Sequence, residues 1–365
     1  MYNVAIIGCG RISHKIAEGV AKNNDRMKLV VLCDPIEEKM FETEKTYNKK
    51  IGSEVSLLKY KDYKEILKQN KIDIAIISTE SGYHEEIGLY FLENGVNLIV
   101  EKPLAMSIEG AQKLVDTAKK NNLKLAASHQ NRFNYPIQLL KKAIKENKLG
   151  KIFNGMARIL WTRDDNYYLQ APWRGTWALD GGTLMNQCIH NIDLINWMMD
   201  DEIDTVYAQT SNYIRNIEAE DYGVILIRYK SGKIATIEGS AIVYPKNLEE
   251  TLTITGEKGT VVIGGMAVNK INTWRVEGDN EQEYLSIDCG DPNSVYGYGH
   301  EALYKDFVEA LDENREPLVN GKAGLEAVKI ILAAYKSQKT GLPIKISEFN
   351  KFSTLDMEKK DVKYL

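Results

Sequence analysis

Five short apolar runs in the first third of the chain constrain the fold more than any other feature. Each run is mostly apolar and is followed by polar residues, and helix-period segments such as 84–94 and 107–121 lie between them. Continuous apolar strands with intervening helices are typical of a parallel sheet covered on both faces. The runs are 4–7, 29–33, 72–77, 96–100 and 123–127. Ligands of such sheets bind beyond the carboxyl ends of the strands, so we expect a binding site at that edge.

The pattern changes from about residue 150, where apolar and polar residues alternate. Turn signals at Ser231-Gly232 and Glu257-Lys258-Gly259 separate some of the predicted strands. The alternating segments are 151–162, 205–213, 222–230, 233–243, 250–256 and 259–263. They predict a large open mixed sheet with a 183–199 helix on one face, followed by helices at 300–313 and 321–339. The other face would bind another copy, which predicts a homodimer or homotetramer.

The predicted fold class is therefore α/β. A doubly wound parallel sheet over residues 1–125 precedes an α+β domain over residues 126–365, which is built on the large open mixed sheet and serves substrate binding and oligomerisation.

Composition and charge exclude several classes of function. The net charge is −4, so no global basic field attracts nucleic acid, and 44% hydrophobic residues indicate a folded protein. The four cysteines form no CxxC pair, which argues against a zinc site or a disulfide framework. No apolar run approaches a membrane span, and a strand pattern begins within three residues of the first residue. We expect a cytoplasmic protein with a small-molecule substrate, no metal, and no membrane or nucleic-acid partner.

A glycine-rich turn follows the first predicted strand. The sequence from Gly8 to Ser13 has two glycines of the GxGxxG fingerprint and a small residue in the third position. Such a turn brings the N-terminus of the next helix to a pyrophosphate. Asp34 ends the second strand, where a carboxylate accepts from ribose hydroxyls and repels a 2′-phosphate. The pattern favours NAD over NADP; the alternative is a structural glycine turn without a nucleotide.

Candidate catalytic groups follow the Asp180-Gly181-Gly182 break. A helix is predicted from about Thr183, and on it Asn186 and His190 are four residues apart and so share a face. Asp193 is three residues further on, close enough to orient the imidazole. A neutral imidazole on a fixed helix face is a usable general base near neutral pH.

A second candidate is the lysine of Glu101-Lys102-Pro103, which ends the fourth strand. A partly desolvated lysine can donate to a substrate hydroxyl oxygen or tune a neighbouring base. Taken alone, Lys102 is typical of a solvated surface lysine and His190 of a structural histidine. Because both fall at the expected mouth of the site, together they favour catalysis.

These motifs carry a family resemblance. The GCGRIS turn, the Glu101-Lys102-Pro103 motif, the GG…NxxxH segment ending at Asp193 and the closing GLEAVKIILAAYKSQKTGLPI segment resemble the glucose–fructose oxidoreductase / inositol dehydrogenase family (Gfo/Idh/MocA). The resemblance covers nearly the whole chain and implies a Rossmann domain, NAD as cofactor, and Lys102 and His190 as the catalytic pair. Many members carry Asp where this chain has Asn186, which can hydrogen-bond a sugar hydroxyl but cannot share a proton relay.

Cofactor contacts are expected around the turn and the strand ends. They are Gly8, Gly10, Arg11, Ile12, Asp34, Ser78, Thr79, His84, Glu101, Lys102, Gln130 and Arg132.

Within the family, residues 167–177 and 181–194 look most like the sugar-nucleotide 3-dehydrogenases. Aromatic side chains there offer apolar faces for a sugar or uracil, and the arginines can bind a carboxylate or diphosphate bidentately. A later segment, 296–300, opens a helix whose N–H groups favour phosphate. The aromatics are Tyr167, Tyr168, Trp173 and Trp177, and the expected substrate contacts are Arg163, Tyr168, Trp173, Arg174, Thr176, Asn186, Asp193, Tyr298 and His300. Alternatively, Trp173 and Trp177 pack in the core and Arg163 forms a surface ion pair.

The resemblance implies an NAD-dependent dehydrogenase that oxidises the C3 hydroxyl of a UDP-sugar of the UDP-N-acetylglucosaminuronic acid type, for surface polysaccharides. His190 would take the hydroxyl proton, Lys102 would stabilise the alkoxide, and Asn186 would fix a neighbouring hydroxyl. Two alternatives stay open: a dehydrogenase of a free sugar, inositol or sugar phosphate, and a non-catalytic NAD-binding regulator. Retention of both Lys102 and His190 argues against the regulator.

Overall fold

The computed structural model describes residues 1–290, 297 and 299–357. The strands are β1 (Tyr2–Ile7), β2 (Met27–Cys33), β3 (Leu58–Tyr60), β4 (Ile74–Ile77), β5 (Asn97–Val100), β6 (Leu125–Ala127), β7 (Ile152–Leu160), β8 (Ile203–Ser211), β9 (Tyr222–Tyr229), β10 (Ile234–Ser240), β11 (Glu249–Gly256), β12 (Gly259–Gly264), β13 (Lys270–Val276) and β14 (Ile344–Lys345). The α-helices are α1 (Ser13–Lys22), α2 (Glu37–Ile51), α3 (Ile66–Gln69), α4 (His84–Glu93), α5 (Ile108–Lys120), α6 (Tyr135–Lys145), α7 (Asp165–Leu169), α8 (Thr183–Asn186), α9 (Ile189–Met199), α10 (Glu281–Leu285), α11 (Gly299–Asp312) and α12 (Gly321–Thr340).

The chain divides into two units, and the first is built on a parallel sheet. This unit comprises residues 1–128 and 300–325, and its six strands run in the order β3-β2-β1-β4-β5-β6. All pairings are parallel, and β1, β4 and β5 are buried almost throughout because helices cover both faces. The strand order reverses between β1 and β4, which is where doubly wound sheets bind ligands. The predicted parallel sheet is confirmed, with β3 as an additional short edge strand.

Residues 300–325 return to the first unit, whereas the sequence prediction placed them in the second domain. The Asp312 carboxylate accepts a 2.6 Å hydrogen bond from the Tyr2 hydroxyl at the start of β1. Further along, the backbone N–H of Ala127 donates to the carbonyl of Val319 at 3.1 Å. These bonds join segments far apart in the chain, so no local sequence pattern could have placed them.

The second unit, residues 129–299 and from 326 onward, is built on a mixed sheet. Its eight strands run in the order β13-β12-β11-β7-β10-β9-β8-β14. Among the described strands of this sheet, only β7 and β10 pair in parallel. Both predicted turn signals join antiparallel neighbours, β9 with β10 and β11 with β12. The predicted open mixed sheet is confirmed; β13 and β14 are additional edge strands.

One face of this sheet is covered by α8 and α9, but the single predicted helix over 183–199 is wrong. Both Gln187 and Cys188 donate their backbone N–H to the carbonyl of Thr183, which widens the turn, and α9 begins afresh at Ile189. Asn186 and His190 therefore lie on different helices and do not share one helix face.

The opposite face of the mixed sheet carries exposed apolar side chains. Met156, Val224, Leu226 and Ile234 are between 38% and 46% exposed. An apolar sheet face of this kind is typical of an interface, so binding of a second copy there stays a prediction. No helix among the described residues is long and apolar enough to cross a membrane.

Candidate active site

The glycine turn after β1 is packed against the end of β4. Gly8 has φ +94°, and a Cβ there would lie 2.6 Å from the backbone carbonyl of Ser78, so only glycine fits. The Ser78 hydroxyl donates to the carbonyl of Gly8 at 2.7 Å. Ser78 thus contacts the turn through both its backbone and its side chain. Its observed role in the predicted cofactor site is to hold the turn in place.

Open space beside Gly10 fits the phosphate of a dinucleotide. A Cβ added at Gly10 would meet nothing within 4 Å, which leaves room for a phosphate next to the N-terminus of α1. The Asp34 carboxylate accepts from the backbone N–H of Cys9 at 2.8 Å and of Ile36 at 2.9 Å. Each carboxylate oxygen retains acceptor capacity for a ribose hydroxyl. Arg11 is exposed and Ile12 half-buried beside the same turn.

The loop after β5 carries Lys102 and is held by the side chain of His84. His84 places Nδ1 2.7 Å from the carbonyl of Pro103 and Nε2 3.2 Å from that of Thr79. Burial lowers the pKa of His84, so the ring is neutral and has one N–H, which the shorter contact assigns to Nδ1. The His84 residue is only 1% exposed and holds the loop, and its expected contact with the cofactor stays a prediction.

A buried carboxylate directly precedes Lys102 in the sequence and lies near a buried histidine. Glu101 Oε1 lies 3.8 Å from Nε2 of His300, and both residues are buried. Burial opposes ionisation of Glu101, but His300, Lys102 and Ser128 outweigh it, so the pKa of the carboxyl lies below its usual value. The predicted substrate residue His300 is thus placed against Glu101 within the first unit. Tyr298, also predicted, lies outside the described residues.

His190, the predicted general base, lies in the first turn of α9. Its ring is half-buried and meets the ring of His129 edge to face, with 5.7 Å between centroids and 86° between planes. His129 is 1% exposed and was not among the predicted site residues, although it follows the fifth apolar run with the other polar strand-end residues. The neighbouring Gln130, a predicted cofactor contact, is also buried.

Asp193 does not orient His190 as the sequence predicted. Its two oxygens accept from Arg132, from Nε at 2.7 Å and from a terminal nitrogen at 2.6 Å. The pair is buried, and the Arg132 guanidinium also lies 4.8 Å from the centre of the Trp197 ring. A bidentate buried pair of this kind fixes α9 against the segment before α6, so the expected ligand contacts of Arg132 and Asp193 stay predictions.

Two guanidinium groups lie against one tyrosine ring near α7. Arg163 and Arg174 lie 5.3 Å and 4.1 Å from the centre of the Tyr167 ring, and Arg174 also donates to the Tyr167 carbonyl at 2.5 Å. Within residues 1–290, 297 and 299–357, neither guanidinium has a carboxylate within ion-pair distance. This cluster of Arg163, Tyr167 and Arg174, called the arginine cluster below, has two positive charges for an anionic ligand.

Among the other predicted aromatic and substrate residues of this segment, one is buried in the core and the rest are half-buried. Trp177 is buried with its ring perpendicular to that of Tyr335 at 5.1 Å, so for Trp177 the core alternative is correct. Trp173 stays half-buried beside Arg174, and the Thr176 hydroxyl donates to the Trp173 carbonyl at 2.7 Å. Tyr168 is half-buried, and burial raises the pKa of its phenol, which remains neutral.

Both parts of the chain match models of one family. Residues 2–129 match the oxidoreductase family, NAD-binding Rossmann fold, and residues 141–346 match the oxidoreductase family, C-terminal alpha/beta domain. The chain belongs to the Gfo/Idh/MocA oxidoreductase family. Its Gly8 turn and Asp34 fit the cofactor of that family, so this Gfo/Idh/MocA protein is an NAD-dependent oxidoreductase.

Relatives within the Gfo/Idh/MocA family differ in their substrates. The WlbA dehydrogenase from Bordetella pertussis, solved with NADH and UDP-GlcNAcA, is 32% identical with a TM-score of 0.82, covering 94% of this chain and 98% of its own. The WlbA dehydrogenase from Chromobacterium violaceum, in complex with the same ligands, is 32% identical with a TM-score of 0.83, covering 94% and 95%. Myo-inositol 2-dehydrogenase of Thermotoga maritima is 25% identical over 94% of this chain and 98% of its own length.

Proposed function

We propose that this protein oxidises the C3 hydroxyl of a UDP-sugar of the UDP-N-acetylglucosaminuronic acid type to a 3-keto sugar. The observation that carries the proposal is the arginine cluster, whose two guanidinium groups lack a carboxylate partner in the described chain. A sugar nucleotide with a uronic acid offers a diphosphate and a carboxylate, which are the groups that guanidinium binds bidentately. The 32% identity to two dehydrogenases solved with UDP-GlcNAcA supports the same substrate class.

The proposed chemistry needs a base, an alkoxide stabiliser and an acceptor. When bound, NAD⁺ supplies the hydride acceptor for the carbon that is oxidised. His190 takes the proton of the substrate hydroxyl, since an imidazole has a pKa suited to this near neutral pH. Lys102 stabilises the negative charge that develops on the oxygen. Asn186 holds a neighbouring hydroxyl.

Two features of the first unit support the part proposed for Lys102. The ionised Glu101 next to it favours the ammonium form, and His84 holds the following Pro103 by its carbonyl. A lysine that stays protonated is what stabilisation of an alkoxide requires. Glu101, His84 and Pro103 therefore support the proposed stabilisation of the alkoxide by Lys102.

The test is the absorbance of NADH after the protein and NAD⁺ are mixed with each of several substrates. The panel contains UDP-N-acetylglucosaminuronic acid, UDP-N-acetylglucosamine, glucose, glucose 6-phosphate and myo-inositol, each with and without 2-oxoglutarate, which would recycle bound NADH. We expect NADH or a keto-sugar product with the uronic acid alone. Turnover only with a free or phosphorylated polyol would reject the sugar-nucleotide proposal and keep the oxidoreductase.

A second candidate substrate class is inositol or a free sugar. It is favoured by the inositol dehydrogenases that match over most of their length, such as the 23% identical scyllo-inositol 2-dehydrogenase (NAD(+)) of Bacillus subtilis. UDP alone separates the two classes, because a ligand that binds the folded state raises the melting temperature. Stabilisation by UDP supports the sugar nucleotide, and stabilisation by myo-inositol without UDP supports the second class.

A further inference from the structure

Aromatic rings and guanidinium groups alternate around α7 in the second unit. The guanidinium carbon of Arg163 lies 4.7 Å from the centre of the Trp161 ring and 5.3 Å from that of Tyr167. The guanidinium carbon of Arg174 lies 4.1 Å from the centre of the Tyr167 ring and 5.7 Å from that of Trp173. Both groups therefore share the Tyr167 ring, and they cannot be farther apart than their two distances to it together.

The shared ring is itself held in place. The backbone N–H of Tyr167 donates to the Asp164 carboxylate at 2.9 Å, in the first turn of α7. The side-chain amide of Gln187 donates to the Tyr167 hydroxyl at 3.3 Å, and the Tyr168 ring packs perpendicular to the Tyr167 ring at 5.1 Å. A ring fixed in this way can order two long arginine side chains, which otherwise lose much rotamer freedom on binding a ligand.

Both guanidinium groups retain donors for a ligand. Arg163 donates through Nη1 to the Thr162 carbonyl at 2.7 Å, and Arg174 donates through Nη1 to the Tyr167 carbonyl at 2.5 Å and to Gln170 Oε1 at 3.4 Å. Their other nitrogens make no hydrogen bond in the part of the chain that the structure describes, and Nε of Arg174 is buried. Because buried donors normally have partners, a ligand atom is expected there.

The charge of the arginine cluster indicates which anion it fits. Glu250 lies within electrostatic reach of Arg163, but burial raises the pKa of its carboxyl to about 8, so it is largely neutral at neutral pH. The two guanidinium charges thus remain to be matched by a ligand. A diphosphate diester has two negative charges on adjacent groups, whereas a carboxylate has one, and guanidinium binds phosphate oxygens bidentately.

We propose that Tyr167 is a positioning residue whose ring holds Arg163 and Arg174 together as one site for the diphosphate of the substrate. The inference rests on the proposed function in that the diphosphate belongs to a sugar nucleotide. Tyr167 acts through the two arginines, so its ring is occupied by them and does not stack on the uracil or the sugar. The carboxylate of a uronic acid is then bound outside the arginine cluster.

Isothermal titration calorimetry with inorganic pyrophosphate tests the proposal. The protein is saturated with NAD⁺, so that pyrophosphate does not bind beside Gly10. Tyr167→Leu removes the shared ring, and we expect the Kd for pyrophosphate to rise about tenfold, as for loss of two cation–π contacts. Tyr167→Phe keeps the ring and should restore the Kd to within about threefold of the unmodified protein. Equal affinity in Tyr167→Leu and the unmodified protein, or no binding to the unmodified protein, would overturn the proposal.

Tyr63 of the first unit provides the matched control. Its ring also meets a cation, since Lys64 Nζ lies 5.4 Å from its centre, but that cation lies 3.5 Å from the Glu86 carboxylate. Tyr63→Leu should therefore leave the Kd for pyrophosphate unchanged. An unchanged KM for NAD⁺ in Tyr167→Leu would show that the variant is folded.

A double-mutant cycle with UDP separates positioning from direct contact. When Arg163 and Arg174 are both replaced by Gln, adding Tyr167→Leu should change the Kd for UDP by less than about twofold, because no guanidinium remains to be held. A tyrosine that stacks on uracil would instead be needed equally with and without the arginines. Equal losses in both backgrounds would therefore overturn the proposal.

Further outcomes separate this inference from the proposed function. In an active protein, Tyr167→Leu should raise the KM for the UDP-sugar about tenfold and leave kcat within about threefold, because the ring serves binding and not hydride transfer. Binding of UDP and pyrophosphate that depends on Tyr167, in a protein that oxidises no UDP-sugar, would reject the proposed function and support the inference. Oxidation of the UDP-sugar with an unchanged KM in Tyr167→Leu would do the reverse. Binding of glucuronate, but not of pyrophosphate, that depends on Tyr167 would assign the cluster to a carboxylate and overturn the inference.

Discussion

Replacing Glu220 with Gln should make the second unit less sensitive to rising pH. Glu220 is buried, and its Oε1 accepts from the backbone N–H of Leu184 at 2.8 Å and from the Tyr335 hydroxyl at 3.1 Å. Burial, only partly offset by these hydrogen bonds, raises the pKa of the carboxyl from 4.5 to about 8. The folded protein thus holds a neutral acid at neutral pH, which the amide of Gln resembles in shape and charge.

The magnitude follows from the linkage between pKa and stability. An acid whose pKa is raised in the folded state lowers stability as pH rises from its unfolded pKa to its folded pKa, because the unfolded chain gains by ionising. For Glu220 this interval runs from 4.5 to about 8. At about 1.4 kcal/mol per pH unit, the loss is on the order of 5 kcal/mol across it. A glutamine side chain at this position does not ionise, so the Glu220→Gln variant should lose none of this.

Tryptophan fluorescence during urea unfolding is a suitable assay. All five tryptophans of the chain, at positions 161, 173, 177, 197 and 274, lie in the second unit with Glu220. The free energy of unfolding of Glu220→Gln should exceed that of the unmodified protein by an amount that grows between pH 5 and 8. Glu250 is another buried carboxyl, and burial is the main cause that raises its pKa to about 8. The Glu250→Gln variant should therefore show the same dependence on pH as Glu220→Gln.

An exposed carboxyl of the same unit supplies the control. The free energy of unfolding of Glu277→Gln should change with pH in parallel with that of the unmodified protein, because Glu277 is exposed to solvent in the folded state. If the free energy of unfolding of Glu220→Gln also changed with pH in parallel with that of the unmodified protein, the pKa of Glu220 would not be raised by folding. The reasoning from burial would then be refuted.

Three further predictions concern the ligand sites and the open sheet face. Replacing Arg163 and Arg174 together with Gln should raise the KM for the UDP-sugar about tenfold or more with little change for NAD⁺, whereas Arg275→Gln, at a highly exposed side chain, should change neither in steady-state assays. Asp34→Ser should narrow the preference for NAD⁺ over NADP⁺, measured as the ratio of kcat/KM, because the charge that repels a 2′-phosphate is removed. Leu226→Lys should shift the protein towards monomer in size-exclusion chromatography with light scattering, and an unchanged mass would place any interface elsewhere.

The parts of the fold that sequence could predict are those encoded locally. The apolar runs became β1, β2, β4, β5 and β6, because strands buried on both faces are apolar throughout. The sequence did not predict the edge strand β3, because it has only three residues and none of them is buried. The return of residues 300–325 to the first unit depends on long-range bonds such as Tyr2 with Asp312, which leave no periodic signal.

Site residues show the same division between local and long-range information. The Gly8 turn and the Lys102 loop could be located because each directly follows an apolar run. The partner of Asp193 could not, because Arg132 is 61 residues away, and sequence spacing favoured His190 instead. The wide turn at Cys188 was likewise hidden, since the helical spacing of Asn186 and His190 is preserved in the sequence while the helix itself is broken.

The most direct test of the central claim follows the hydride itself. UDP-N-acetylglucosaminuronic acid with deuterium at C3 is mixed with NAD⁺ and the protein, with and without 2-oxoglutarate, and the products are analysed by mass spectrometry. We expect deuterium in NADH or, if the cofactor is recycled in place, in 2-hydroxyglutarate, together with a 3-keto sugar and a slower reaction in Lys102→Ala and His190→Asn. A keto sugar formed at another carbon, with deuterium retained at C3, would contradict the claim, as would the absence of any oxidised sugar.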